Sequence, residues 1–180
     1  MSSFSEDPLQ RRTLRRGASA KLAALITLAG CIIGASSGHA EDPSFLSLGV
    51  GYYDLFHDTD SAEFRLEYRD SYRFWLFKPF AGVTLTSEAA FHGYAGVMSD
   101  FYMGRRVVVS PSVAAGPYFR AGGKDLGHVF EIRSALEIAY RFNNRSRLGL
   151  TFYHVSNAGF GDDRNPGAEV LSLTYSLPYN

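Results

Sequence analysis

Near the end of this 180-residue sequence stand a base, a hydroxyl and a carboxylate at spacings that can do ester chemistry: His154, Ser156 and Glu169. A serine hydroxyl is a weak nucleophile until a neighbouring base takes its proton. Leu148, Leu150, Phe152, His154 and Ser156 share one parity, and in a strand one parity is one face. His154 and Ser156 are then about 7 Å apart between Cα atoms, at roughly 3.3 Å rise per residue, and their side chains can lean together. Glu169 opens the next alternating stretch, with Leu171, Leu173, Tyr175, Leu177 and Tyr179 on its face. Across an antiparallel hairpin it can hold the imidazole tautomer and stabilise its charged form, the third role in a triad. Asn157 follows directly, and its side-chain amide or a loop N–H is a candidate to stabilise a tetrahedral oxyanion. The chemistry these residues point to is acyl-ester hydrolysis. A His-x-Ser pair alone is weak evidence, because one His and one Ser on a strand are common. Polar groups extending an apolar face at one end of a hairpin, with a carboxylate across it, are the stronger signal.

The remaining chemistry-bearing residues give less. His57 and His128 fall in expected loops and His92 in a segment whose faces are hard to assign. Their scatter has no ligand-like spacing, so neither a metal site nor a cofactor is expected. No phosphate-cradling glycine loop or dinucleotide motif occurs. Eighteen acidic and eighteen basic residues balance to zero net charge, which gives no electrostatic argument for nucleic acid.

The elements that must position the hairpin are strands. Residues 147–180 form the closing pair, and six alternating segments precede them. Phe45–Asp54 sets Leu46, Leu48, Val50 and Tyr52 against Ser47, Gly49 and Gly51. Ala62–Asp70 sets Phe64, Leu66 and Tyr68 against Glu63, Arg65, Glu67 and Arg69. Phe74–Ser87 is irregular at its start and then regular, and Glu88–Phe101 is too rich in small residues for its faces to be read. Val107–Pro117 alternates around Pro111, which demands a local exception. Val129–Arg141 sets Phe130, Ile132, Leu136, Ile138 and Tyr140 against Glu131, Arg133, Glu137 and Arg141. Eleven Tyr, fourteen Phe and eighteen Gly suit such a chain.

Alternation alone does not say which face is outside. A secreted sandwich buries its apolar parity; a small membrane barrel turns it to lipid and keeps a polar interior. Three features favour the barrel: an export signal, strands of about 9–11 residues, and aromatics at strand ends (Tyr52, Tyr68, Phe101, Tyr102, Tyr140, Tyr179), where interface girdles form. Closure also leaves no unpaired edge in lipid. The Glu/Arg sets of the second and sixth segments can then pair inside. Short turns are expected at Ser71–Arg73, Tyr102–Arg105 and Asn143–Ser146. The alternate connections, at His57–Ser61, Ser87–Ala90, Tyr118–His128 and Asn157–Ala168, include the two longest. The expected fold is thus all-β: an eight-stranded antiparallel up-and-down transmembrane barrel in the bacterial outer membrane. The long loops face outward, with His154, Ser156 and Glu169 at the outer-leaflet end.

Residues 1–40 are set apart as a secretory signal, leaving 41–180 as the barrel with its catalytic hairpin at 147–180. Arg11, Arg12, Arg15, Arg16 and Lys21 lead an apolar core, Leu22–Ala35, that is short for a membrane span. Gly38 and Ala40 fit a peptidase site, with cleavage after Ala40. A competing reading takes Leu28-Ala29-Gly30-Cys31 as a lipobox with Cys31 lipidated. Under the first reading the mature chain holds no Cys and no disulfide.

Tyr153-His154-Val155-Ser156-Asn157-Ala158, followed by Asn165-Pro166-Gly167-Ala168-Glu169 and a closing strand, resembles the PagL-type lipid A 3-O-deacylases over about 30 residues. That resemblance implies an eight-stranded outer-membrane barrel with a Ser-His-Glu triad on its lipid-facing surface. It implies removal of the ester-linked 3-hydroxyacyl chain at the 3-position of lipid A in lipopolysaccharide. Carried over by motif, Ser156 is the nucleophile, His154 the base, Glu169 the orienting acid and Asn157 an oxyanion contributor. Asp162 and Asp163 are alternative acids, but neither is on the strand. An acyl chain would need apolar walls, for which Phe152 and Phe160 are candidates. Arg120, Lys124 and Arg164 are candidates to meet phosphates, and ordinary solvated loop charge explains them equally well. The alternatives are an outer-membrane phospholipase, which length argues against, and a non-catalytic structural or binding barrel, which loops of about ten residues argue against. The residues leave a homodimer open.

Overall fold

The structure is a computed structural model and describes residues 42–56, 61–159 and 165–179. The expected signal segment with Cys31, His57, and Phe160, Asp162, Asp163 and Arg164 lie outside the described residues. The strands are β1 (Ser44–Tyr53), β2 (Ser61–Arg69), β3 (Lys78–Thr86), β4 (Phe91–Met98), β5 (Phe101–Met103), β6 (Val107–Phe119), β7 (Phe130–Arg141), β8 (Arg147–Ser156) and β9 (Ala168–Tyr179). All pairings are antiparallel, β9 pairs β1, and β4 and β5 both pair β6. With β5 continuing the line of β4, the sheet closes as an eight-stranded barrel. Closure gives every strand except the three-residue β5, which pairs β6, two hydrogen-bonded neighbours.

The apolar parity is outside. Leu46, Leu48, Val50, Phe64, Leu66, Leu150, Phe152, Leu171 and Leu173 are exposed, while Glu63, Arg65, Glu67, Arg69, Glu131, Arg133 and Glu137 are buried. Burying charges is tolerable only when each is paired and hydrogen-bonded. Here Arg69 forms a two-pronged pair with Glu137, at 2.9 and 2.7 Å, and also reaches Glu67 at 2.9 Å. Arg133 approaches Glu67 at 3.4 Å and lies over the Tyr153 ring at 4.2 Å. Tyr94 donates to Glu67 at 2.8 Å, and Thr151 to Glu137 at 3.0 Å. The pairing expected between the second and sixth segments is therefore present. Between Glu67, Arg69, Arg133, Glu137 and Thr151 a cavity of about 10 Å³ remains, room for about one water. The middle of the barrel is packed by salt bridges.

Three expectations need correction. The third segment starts at Lys78 rather than Phe74, because Phe74 and Phe77 close a tight two-bond turn, with Trp75 at φ 57°. The connection expected at Ser71–Arg73 is accordingly longer, running from Asp70 to Phe77. The fifth segment extends past Pro117 to Phe119. The unreadable fourth segment is two strands: Ser99 and Asp100 are both buried, so the parity slips between β4 and β5. That slip points Asp100 inward, where it accepts from Ser110 at 2.6 Å and Arg147 at 3.0 Å and pairs with Lys78. It also answers the demand made by Pro111. Its carbonyl accepts the Ser99 N–H at 3.1 Å, and β6 passes the β4–β5 break there, where the ladder asks no N–H of it.

At the opposite rim the Phe119–Phe130 connection folds over the mouth. Leu126 is fully buried there among Tyr53, Ala90, Tyr118, Tyr153, Val155, Ala168 and Val170. This small apolar plug sits directly behind the end of β8.

Candidate active site

His154 and Glu169 are direct cross-strand partners of β8 and β9. That register follows from pairing Leu150 with Leu173 and Phe152 with Leu171; a slip of one residue would turn every apolar side chain inward. Imidazole Nδ1 lies 3.1 Å from Glu169 Oε1. The pair is on the outer face, with His154 45 % and Glu169 23 % exposed, so the base is reachable from outside while its acid is shielded. With Nδ1 given to the carboxylate, Nε2 is the nitrogen left to serve Ser156. Ser156 stands two residues on, same face, half-buried. Among the described residues no hydrogen bond joins Ser156 to the ring. Such bonds often tighten only once substrate is bound.

Gly167 is the residue that sequence reading passed over. It holds φ +60°, and a Cβ built there would lie 2.6 Å from His154 Cε1 and 3.2 Å from Nε2. The loop backbone thus packs against the Cε1–Nε2 edge of the imidazole, next to the Nδ1 that faces Glu169. The importance of this glycine lies in an approach between two chain segments, which spacing does not reveal.

Asn157 is placed inside the mouth. It comes one residue after Ser156, so its side chain has the other parity and is fully buried within the mouth. Its Nδ2 donates to Leu126 O at 3.1 Å and its Oδ1 accepts from Gly159 N at 2.9 Å. Its own N–H donates to Asn165 Oδ1 at 3.2 Å. In this arrangement Asn157 ties the end of β8 to the loop plug and, through Asn165, to the approach of β9.

Phe152 lies on the outer face beside the dyad, between Leu136 and Leu171. Arg120 is paired with Asp125 at 2.9 Å and Lys124 with Asp54 at 2.6 Å, so loop ion pairs already occupy both cations. His92 is buried inside the barrel between Tyr94 and Tyr118, and His128 caps the start of β7 by accepting the Phe130 N–H at 3.0 Å. Neither shares a site with His154. Among the described residues no group of three or more His, Cys, Asp and Glu is placed to hold a metal ion.

Known proteins resemble this chain in sequence and in fold. Residues 46–178 match the family described as Lipid A 3-O-deacylase (PagL). The lipid A deacylase PagL of Bordetella bronchiseptica is 25% identical over 84 residues, 46% of this chain and 47% of that protein. The match thus spans about half the length of that relative. The crystal structure of the outer membrane enzyme PagL superposes with a TM-score of 0.58 at 19% identity, covering 75% of this chain and 99% of that one; at that identity the likeness is one of fold. With the family matched across the whole barrel from β1 to β9, this chain belongs to the PagL lipid A 3-O-deacylase family.

Proposed function

We propose that this chain is an outer-membrane serine esterase that removes the ester-linked 3-hydroxyacyl chain at the 3-position of lipid A. The observation that carries it is the His154–Glu169 pair, accessible from outside and set beside Ser156 on an apolar face. Ser156 Oγ attacks the ester carbonyl while His154 Nε2 takes its proton. The proton passes to the departing sugar oxygen as the C–O bond breaks. Water, deprotonated by the same nitrogen, then cleaves the acyl-enzyme, releasing the 3-hydroxy fatty acid and restoring Ser156. Glu169 holds the tautomer with Nε2 free and stabilises the imidazolium that forms.

The apolar exterior spans the bilayer. The start of β1, the end of β9 and the turn carrying Trp75 lie on the periplasmic side, and the rim with Ser156 lies in the outer leaflet, where lipopolysaccharide is abundant. Residues 1–40 act as the export signal. Leu150→Arg, outward and mid-strand, is expected to cost about 2–4 kcal/mol of folding stability in bilayers; an unchanged unfolding midpoint would contradict the outward assignment.

Gly167→Ala is expected to lower turnover by about 10²-fold, because an imidazole displaced by roughly 1 Å loses its line to Ser156. Gly159→Ala supplies the comparison: it also sits at positive φ, +80°, but a Cβ there meets nothing within 4 Å. Both variants should lose about 1–2 kcal/mol from left-handed backbone, and only Gly167→Ala should lose activity. Equal activity in the two would remove Gly167 from the site.

The functional proposal is tested by mass spectrometry of lipid A from cells expressing the wild-type chain or Ser156→Ala. The expected result is lipid A lacking one 3-hydroxyacyl ester only with the wild type. Unmodified lipid A in both would count against it.

A further inference from the structure

Exposed charge is distributed unequally between the two rims of the barrel. At the rim with Ser156 the cations of the Phe119–Phe130 connection are neutralised, Arg120 by Asp125 and Lys124 by Asp54. At the opposite rim the turns carry Arg73, Arg105, Arg106 and Arg145, all exposed. Among the described residues no carboxylate pairs with Arg73, Arg105 or Arg106. The acids at this end are engaged elsewhere: Asp42 and Asp100 face Lys78 and Arg147 inside the barrel, and Asp70 accepts the Tyr72 N–H at 2.8 Å.

The strand ends bring most of these arginines together. Val107 starts β6 opposite Tyr140, so Arg106 meets Arg141 at the end of β7, whose N–H donates to Arg106 O at 2.6 Å. Arg106 Nη1 donates in return to Arg141 O at 3.3 Å, and its guanidinium lies 5.9 Å from the centre of the Tyr140 ring. Tyr140 points outward and packs edge-to-face with Phe142 at 5.1 Å, which carries Arg106 to the lipid-facing edge of the rim. Arg145 stands in the next turn, its N–H donating to Phe142 O at 3.1 Å, with φ 68°. Glycine or asparagine takes that left-handed conformation more readily, so the arginine is held there against a backbone cost.

We propose that Arg105, Arg106, Arg141 and Arg145, with Tyr140 and Phe142, bind a phospholipid with an anionic headgroup. Cations gathered without an acid repel one another, and an anion among them removes that repulsion. Directly beneath them the wall is apolar, Ile138 on β7 and Leu148 and Leu150 on β8 all being exposed. The ligand that fits is therefore an anion at one end and hydrocarbon at the other. A guanidinium matches phosphate with two parallel hydrogen bonds from a planar fork, so the phosphate sits among the arginines and the acyl chains run along Ile138 and Leu148. The site belongs to the leaflet opposite the His154–Glu169 pair. It shares with the proposed function only the assignment of the two rims to two leaflets, and none of its residues takes part in the esterase chemistry.

The test is native mass spectrometry of the full-length protein in detergent, with dioleoyl phosphatidylglycerol and dioleoyl phosphatidylcholine as competing probes. A cation at an anionic lipid surface adds roughly fivefold in affinity, so the wild type is expected to retain phosphatidylglycerol in preference by about 10²-fold or more. Arg105→Gln combined with Arg106→Gln should lower that preference by about 25-fold, whereas Arg120→Gln at the other rim should leave it unchanged. Should the double variant not fold, the wild type at high salt carries the comparison, its preference falling as the charges are screened. Equal retention of the two lipids by the wild type overturns the site, as does a preference that neither the double variant nor salt alters, or an equal fall in Arg120→Gln. Displacement of phosphatidylglycerol by millimolar inorganic phosphate at constant ionic strength would also overturn it, marking a site for a free anion. Ester hydrolysis reads the proposed function separately, so the failure of one leaves the other standing.

Discussion

Ser156→Ala and His154→Ala are each expected to abolish ester cleavage, by about 10³-fold or more, with the barrel still folded. In the proposed mechanism the two side chains act as one unit, so the double variant should be no worse than either single one. Folding should survive because both side chains stand on the outer face. Glu169→Ala is expected to be milder: the dyad remains, and what is lost is the 3.1 Å contact that orients the ring and stabilises its charge. A double variant that falls well below both singles would mean that the two residues contribute separately and are not a nucleophile and its base.

The largest expected effect on stability lies at Glu67. This carboxylate receives Arg69 at 2.9 Å, Arg133 at 3.4 Å and the Tyr94 hydroxyl at 2.8 Å, all within the packed interior. Removing one partner from a buried pair leaves the other charge uncompensated, at a cost of about 3–5 kcal/mol. Glu67→Ala takes from Arg133 its carboxylate at 3.4 Å and leaves Arg69 with Glu137 alone inside the barrel, and should fall in that range. The expected observation is a lower urea midpoint for unfolding in detergent with an unchanged slope. A midpoint equal to wild type would mean that the interior is open enough for water to replace the carboxylate.

Much of this was legible because a barrel writes itself into parity. Glu63, Arg65, Glu67 and Arg69 alternating with Phe64, Leu66 and Tyr68 reads as one strand with two unlike faces, and β7, β8 and β9 read the same way. The expected export signal and the aromatic strand ends supplied what parity lacks, the direction of the apolar face. Reading failed where parity failed. Ser99 and Asp100 break the alternation so that an acid from one strand can meet Lys78 and Arg147 from two others, and no local pattern announces a three-strand cluster. Phe74, Trp75 and Phe77 imitate a strand by composition and form a turn. The parity of Asn157 was also in the sequence: it places the side chain on the face opposite that of Ser156, where it is buried. Gly167 was out of reach, because its place depends on which residues of separate chain segments come to lie side by side.

The central claim, that the dyad cleaves a lipid A ester, is tested most directly by incubating the purified protein with lipid A and, separately, with phosphatidylethanolamine. The account predicts loss of one ester-linked 3-hydroxyacyl group from lipid A, amide-linked chains retained, and phosphatidylethanolamine intact. Cleavage of the phospholipid with lipid A unchanged would contradict it.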